Sequence, residues 1–235
     1  MKVSLLAAIL SVGLLGCSGM EQITQTGLNV SQALGYNPSQ LNTAVKEVLT
    51  ISSQRTSEVL GQDGGYSASS LFKITLPDQF DPIIEPARAL GFGKYIDTIE
   101  ALMNQGAEQA ATQATPIFLD AINSMSVDDA IGIVRGGNTA ATDYFRTKSE
   151  GALRTKYQTI MESQLEQLGF YSNYKSLVNG IALLPIANKP NLDLEDYAID
   201  KGMNALFSQI ATEEAKIRAN PVEAGSTLLS AVFSQ

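Results

Sequence analysis

Residues Thr115 to Leu168 read TPIFLDAINSMSVDDAIGIVRGGNTAATDYFRTKSEGALRTKYQTIMESQLEQL, and the periodicity of this stretch decides the fold. Ile117, Phe118, Ala121, Ile122 and Met125 recur at the spacing that gathers side chains on one side of a helix. Pro116 suits the first turn of that helix, where a missing N–H costs nothing. Ser126-Val-Asp-Asp129 has the form of a capping box before a short helix with Val127, Ala130, Ile131 and Val134 inward. Gly136-Gly137 offers the left-handed conformation that closes a helix, and Asn138 or Thr139 offers a cap for the next. The long helix that follows carries Ala141, Phe145 and Ala152, then Leu153, Tyr157, Ile160, Met161, Leu165 and Leu168. Its apolar line shifts near Gly151, which predicts a bend or a change of packing partner there.

Working outward, Pro38 or Ser39 opens a helix with Leu41, Ala44, Val45, Val48, Leu49, Val59 and Leu60 at helical spacing, ending near Gly61. Asp63-Gly64-Gly65-Tyr66 is a turn. Leu71 to Leu76 alternates strictly, but a lone strand has no edge to pair with, so an extended crossing segment is expected. Asp81-Pro82 predicts an N-cap and first position for a helix running to Leu90. Gly91-Phe-Gly93 separates it from a helix with Ile96, Ile99, Met103 and Ala110 inward. Gly169 to Lys175 starts another helix, which stops before Pro185. Leu192 to Asn220 is a long one with Ile199, Met203, Leu206, Phe207, Ile210 and Ile217 on one side. A last short helix offers Leu228, Leu229, Val232 and Phe233 to the core. With no repeat, low-complexity tract or interior linker, residues 38–235 are expected to form one all-α domain, a bundle of about seven to nine helices.

The first residues, MKVSLLAAILSVGLLGC, place one positive charge ahead of an apolar run too short for an ordinary membrane span, as in a secretory signal. Leu14-Leu15-Gly16-Cys17 resembles a lipobox, in which the bond before the cysteine is cut and its thiol acylated. Cys17 is the chain's one cysteine and sits at the position that pattern requires. Residues 1–16 are therefore read as a lipoprotein signal peptide and residues 17–37 as a lipidated N-terminus and tether, with membrane attachment through Cys17. The resemblance to sorted lipoproteins, with Ser18 rather than Asp after the cysteine, implies the outer membrane as in enterobacteria-like cells, with the domain facing the periplasm. Removal of Lys2 leaves 15 basic against 24 acidic residues, a net charge of −9 that argues against nucleic acid as a partner. One cysteine cannot form an internal disulfide, so stability must come from a packed core.

The chain contains no histidine and no tryptophan, which excludes Ser-His-Asp and Cys-His arrangements and His-bearing zinc sites. No cofactor, metal or catalytic signature is found. Gly91-Phe-Gly93-Lys94 lacks the third glycine of one phosphate-binding motif and the spacing of another, and a helix-to-helix turn accounts for it better. Asp193, Glu195 and Asp196 lack the central glycine and distal glutamate of a calcium loop and fit the first turn of a helix. Arg146, Lys148, Arg154 and Lys156 form the basic concentration of an acidic chain. They are either a contact for anionic headgroups or an acidic partner, or a solvated helix face making local ion pairs. Tyr157, Phe170, Tyr171 and Tyr174 could line a groove, or be core and rim.

Asp63-Gly-Gly-Tyr66, Arg88-Ala-Leu-Gly-Phe-Gly93, Pro116-Ile-Phe-Leu-Asp-Ala-Ile122, Asp128-Asp-Ala-Ile131, Ala140-Ala-Thr-Asp-Tyr-Phe-Arg146, Leu194-Glu-Asp-Tyr197, Ala219-Asn-Pro221, Leu228-Leu229 and Val232-Phe233 follow one another in order along the chain. On these residues it resembles the bacterial lipoprotein family catalogued as domain of unknown function 4197. The resemblance implies a mostly helical, exported, lipid-anchored protein, and carries over no activity and no catalytic residues. The expected function is a non-enzymatic binding or scaffold module of the cell envelope, with a protein or an apolar ligand as partner. The alternative is a carboxylate-based hydrolase or lyase acting on cell-wall or glycan material, with Asp120, Asp128, Asp143 or Glu150 as acid and base. A structural role in an oligomer is a third.

Overall fold

The computed structural model describes residues 35–128, 130–182 and 193–234. These residues form eight α-helices and two short 3-10 turns, with no strand among them. The helices are α1 (Pro38–Leu60), α2 (Asp81–Ala89), α3 (Gly93–Ser124), α4 (Ala130–Arg135), α5 (Ala140–Gln167), α6 (Phe170–Ala182), α7 (Leu194–Ala219) and α8 (Thr227–Phe233). The four long helices, α1, α3, α5 and α7, pack on one another, and the short ones cover their ends and outer faces. Phe118 of α3, Phe145 of α5 and Phe207 of α7 meet at the centre, with ring centroids 5.5–6.0 Å apart and tilted or edge-on. That geometry suits the ring quadrupoles and adds about 0.5–1.5 kcal/mol per pair beyond area burial.

Helix α1 starts as its sequence directs. Asn37 accepts from the Gln40 amide at 2.9 Å and Gln40 Oε1 accepts from the Asn37 amide at 3.0 Å, a reciprocal cap with Pro38 at the first helical position. Leu41, Ala44, Val45, Val48 and Leu49 are buried. The second half buries Ser52, Ser53 and Thr56 instead, while α3 buries Ala107, Ala110, Ala111 and Ala114. These short side chains let the two helices approach closely: Ser57 Oγ donates to the Ala111 carbonyl at 3.0 Å.

Helix α3 corrects one expectation. Pro116 does not open a helix; it lies inside a continuous helix of 32 residues. Pro116 is exposed, whereas Ala114 and Phe118 on either side of it are buried. The ring removes one backbone donor on the solvent side, and core packing holds the helix across it. Asp81 is likewise not the cap of α2 but its first residue, after a 3-10 turn at Asp78–Phe80, and Pro86 sits inside that helix. Gly91 ends α2 with φ 90°, the Phe92 amide donating to Ala87 and the Gly91 amide to Arg88. This is a Schellman closure, so Gly91-Phe-Gly93 is a helix-to-helix turn.

Extended residues 73–77 cross α3 without pairing to a strand. Side chains one turn apart on α3 take the place of a neighbouring strand. Glu100 accepts from the Leu76 amide at 2.8 Å. Asn104 accepts from the Ile74 amide at 2.9 Å and donates to its carbonyl at 2.7 Å. Glu108 Oε1 accepts from the Tyr66 and Ser67 amides at 3.1 and 3.0 Å and from the Ser67 hydroxyl at 2.9 Å. The turn expected at Asp63–Tyr66 is present, with Gly64 at φ 89°. Tyr66 is fully buried and donates to the Gly202 carbonyl of α7 at 3.0 Å, and burial pushes its phenol well above the ordinary value.

Between α4 and α5 the local signals read from the sequence do not operate. Before α4, the Ser126 hydroxyl donates to Asp128 at 2.8 Å, and the amide that Ser126 is expected to cap belongs to Asp129. Asp129 lies outside the described residues. Gly136 and Gly137 are not left-handed. Gly136 is required by space: a Cβ there would lie 2.7 Å from that of Ala140 and 2.9 Å from the Gly132 carbonyl. Thr139 precedes α5 without capping it, its hydroxyl donating to Asp143 at 2.9 Å. Helix α5 then runs without interruption through Gly151.

Candidate functional site

Glu214 and Arg218 sit one turn apart on α7, with side chains 0% and 7% exposed and 2.7 Å between Oε1 and Nε. Glu214 accepts from the Ala141 amide at 3.0 Å, the Thr142 amide at 2.7 Å and the Thr142 hydroxyl at 2.6 Å, which caps the start of α5. Arg218 donates to the Ile133 and Val134 carbonyls at 3.0 Å each, which closes the end of α4. Its guanidinium also lies over the Phe233 ring at 4.5 Å, fastening α8. A helix start presents unpaired N–H and a helix end unpaired C=O, so a carboxylate and a guanidinium answer both. Sequence reading missed this pair; Glu and Arg at i and i+4 was its one signal.

The four basic residues do not form one patch. They are spread around α5: Arg146 and Arg154 reach residues of α7, whereas Lys148 and Lys156 line a groove against the end of α3. Arg154 reaches α7, where it pairs with Asp196 at 3.0 Å and Asp200 at 2.8 Å; these carboxylates raise its pKa further. Arg146 pairs with Glu150 at 2.6 Å, donates to Asn204 at 2.5 Å, and lies over the Phe207 ring at 5.1 Å. Lys148 lies 3.7 Å from Asp128 and over the Tyr144 ring, while Lys156 is exposed.

Lys148 and Lys156 line a groove of about 680 Å³ between α3, α5 and the loop joining α3 to α4, together with Asp120, Ser124, Ser126 and Asp128. A second groove, about 720 Å³, lies on the other side of that loop against α1 and shares Asn123, Met125 and Ser126 with the first. Lys46 of α1 fixes the end of α3, where the loop begins, by donating to the Asn123 carbonyl at 2.7 Å. Ser126 and Tyr144 hydroxyls and the Lys148 ammonium hold the Asp128 carboxyl below the usual range. Of the four candidate acids, Asp120 and Asp128 therefore share a groove. Asp143 and Glu150 do not join them: Asp143 accepts from Thr139, and Glu150 is paired with Arg146.

Asp193 is the N-cap of α7, accepting from the Asp196 amide at 3.2 Å, with Glu195 and Asp196 in the first turn. No group of three metal-ligating side chains occurs among the described residues. Phe170 stacks on Tyr174 and meets Tyr171 edge-on, but Tyr157 is fully buried elsewhere, beside Gly202. These four aromatics therefore line no common groove. Cys17 lies outside the described residues. Among the described residues, no helix is long and apolar enough to cross a membrane.

Residues 35–234 match the family described as Protein of unknown function (DUF4197). The chain belongs to this family. The match starts just before the Asn37 cap and runs through α8, and so covers this helical domain. No curated protein and no solved structure matches the chain.

Proposed function

We propose that this protein is a lipid-anchored component of the bacterial cell envelope, attached through Cys17 to the outer membrane, whose helical domain faces the periplasm and binds a partner there. The observation that carries the reading is the one cysteine of the chain, at the end of Leu14-Leu15-Gly16-Cys17 after a short apolar run. A binding or scaffold role, not catalysis, is supported by where the buried charge is spent. Glu108 and Glu214 hold backbone amides, and Glu213 pairs with Lys216 and accepts from Gln209. The two grooves beside the α3–α4 loop are the surface on which a protein segment or an apolar ligand would lie.

Metabolic labelling with a fatty-acid probe tests the anchor. The wild-type chain is expected to take up label and partition with membranes, and Cys17→Ala to lose both; a variant that keeps the label overturns the reading. A carboxylate-based enzyme on glycan material is the second reading, favoured by Asp120 and Asp128 in one groove. Turnover of cell-wall fragments that Asp120→Asn and Asp128→Asn abolish would replace the binding role with that one.

A further inference from the structure

Ser53 Oγ and Thr56 Oγ1 of α1 and Thr115 Oγ1 of α3 are buried with no hydrogen-bond partner. All three line one small cavity in the core, about 10 Å³, whose opposite wall is Phe118, Leu206 and Ile210. Ser53 is 4% and Thr56 1% exposed. An unpartnered buried hydroxyl is costly, and the usual local remedy in a helix is a bond to the carbonyl four residues back. Thr147, Thr155, Thr159 and Thr212 all take that remedy. For Thr115 the carbonyl in question is that of Ala111, which already accepts from Ser57.

We infer that Ser53, Thr56 and Thr115 bind a single water molecule between α1 and α3. The cavity matches one water, which needs about 10–15 Å³ and typically makes about three hydrogen bonds to otherwise unsatisfied groups. Three hydroxyls supply that number, since each can donate or accept as the water requires. A larger ligand does not fit, and an apolar one would leave all three hydroxyls unpaired. A cation would find no charge among the lining residues. The water would be a structural component of the α1–α3 contact, where small side chains bring the helices close and the neighbouring Ser57 hydroxyl already donates to Ala111.

A crystal structure of the full chain at a resolution that shows ordered solvent, with water-to-amide NOEs in solution, tests this. One density peak is expected within about 2.5–3.0 Å of all three hydroxyl oxygens. Its loss is expected in Thr115→Val combined with Thr56→Val. A cavity without a peak, or hydroxyls turned onto the carbonyls of their own helices, overturns the inference, as does a peak that survives both substitutions. If the double variant does not fold, the wild-type density decides alone.

Discussion

Glu108 and Glu214 are both buried in this acidic chain, and both accept from two consecutive backbone amides and from the hydroxyl of the second residue. They differ in what else is present. Glu108 puts all three bonds on one oxygen and has no ion-pair partner among the described residues. Glu214 divides its bonds between both oxygens and carries Arg218 as well. The difference follows from what each holds. Glu108 secures the turn at Tyr66 and Ser67, which presents donors to it, so an acceptor suffices. Glu214 stands where one helix ends and another begins, where carbonyls and amides both lack partners, so an acceptor and a donor are needed together. The second arrangement ties four helices, α4, α5, α7 and α8, through two side chains.

The largest effect is therefore expected from Glu214→Gln, which leaves the Arg218 charge buried without its counter-charge. A loss of about 3–5 kcal/mol in urea denaturation is expected. A loss no larger than that of Glu108→Gln would erase the distinction. Glu108→Gln should cost about 1.5–3 kcal/mol, the range for hydrogen bonds to a charged group. Hydrogen exchange should show the Tyr66 and Ser67 amides opening while those of Ala141 and Thr142 stay protected; simultaneous opening would mean the two regions are one unit.

Smaller effects sharpen the contrast between buried and exposed charge. Arg154→Ala removes two ion pairs at a half-exposed position and should cost only about 0.2–1 kcal/mol, shrinking in high salt. Glu195→Gln is expected to change stability least, by under about 0.5 kcal/mol at neutral pH, and in the stabilising direction. Burial, with Glu162 and Asp193 nearby, raises the Glu195 pKa even though the Tyr171 hydroxyl opposes the shift. Stability from such a group is full below its unfolded pKa and is lost as pH rises through the folded one. The wild type should accordingly gain on the variant as pH falls from 7 toward about 4.3, in paired thermal melts. An unchanged difference across that range would remove the assigned cause.

The amino-acid sequence by itself determined the all-helical architecture, because side-chain period, the start at Pro38 and the stops at Gly61 and Gly91 are local properties. It also indicated most of the apolar positions that face inward along α1, α3, α5 and α7, although Val59 and Ala152, read onto the same apolar lines, are exposed. Pro116 misled because a proline's cost is local while the packing that outweighs it at Ala114 and Phe118 is not. The junction after Arg135 misled because its cap comes from Glu214, 73 residues from Ala141 in the chain. That Arg146, Lys148, Arg154 and Lys156 are spread around the helix follows from its geometry, but their partners Asp128, Asp196, Asp200 and Asn204 do not. Tertiary structure decided these pairings and the grooves beside the α3–α4 loop, since a buried polar group takes whichever partner the packing brings, near or far along the chain.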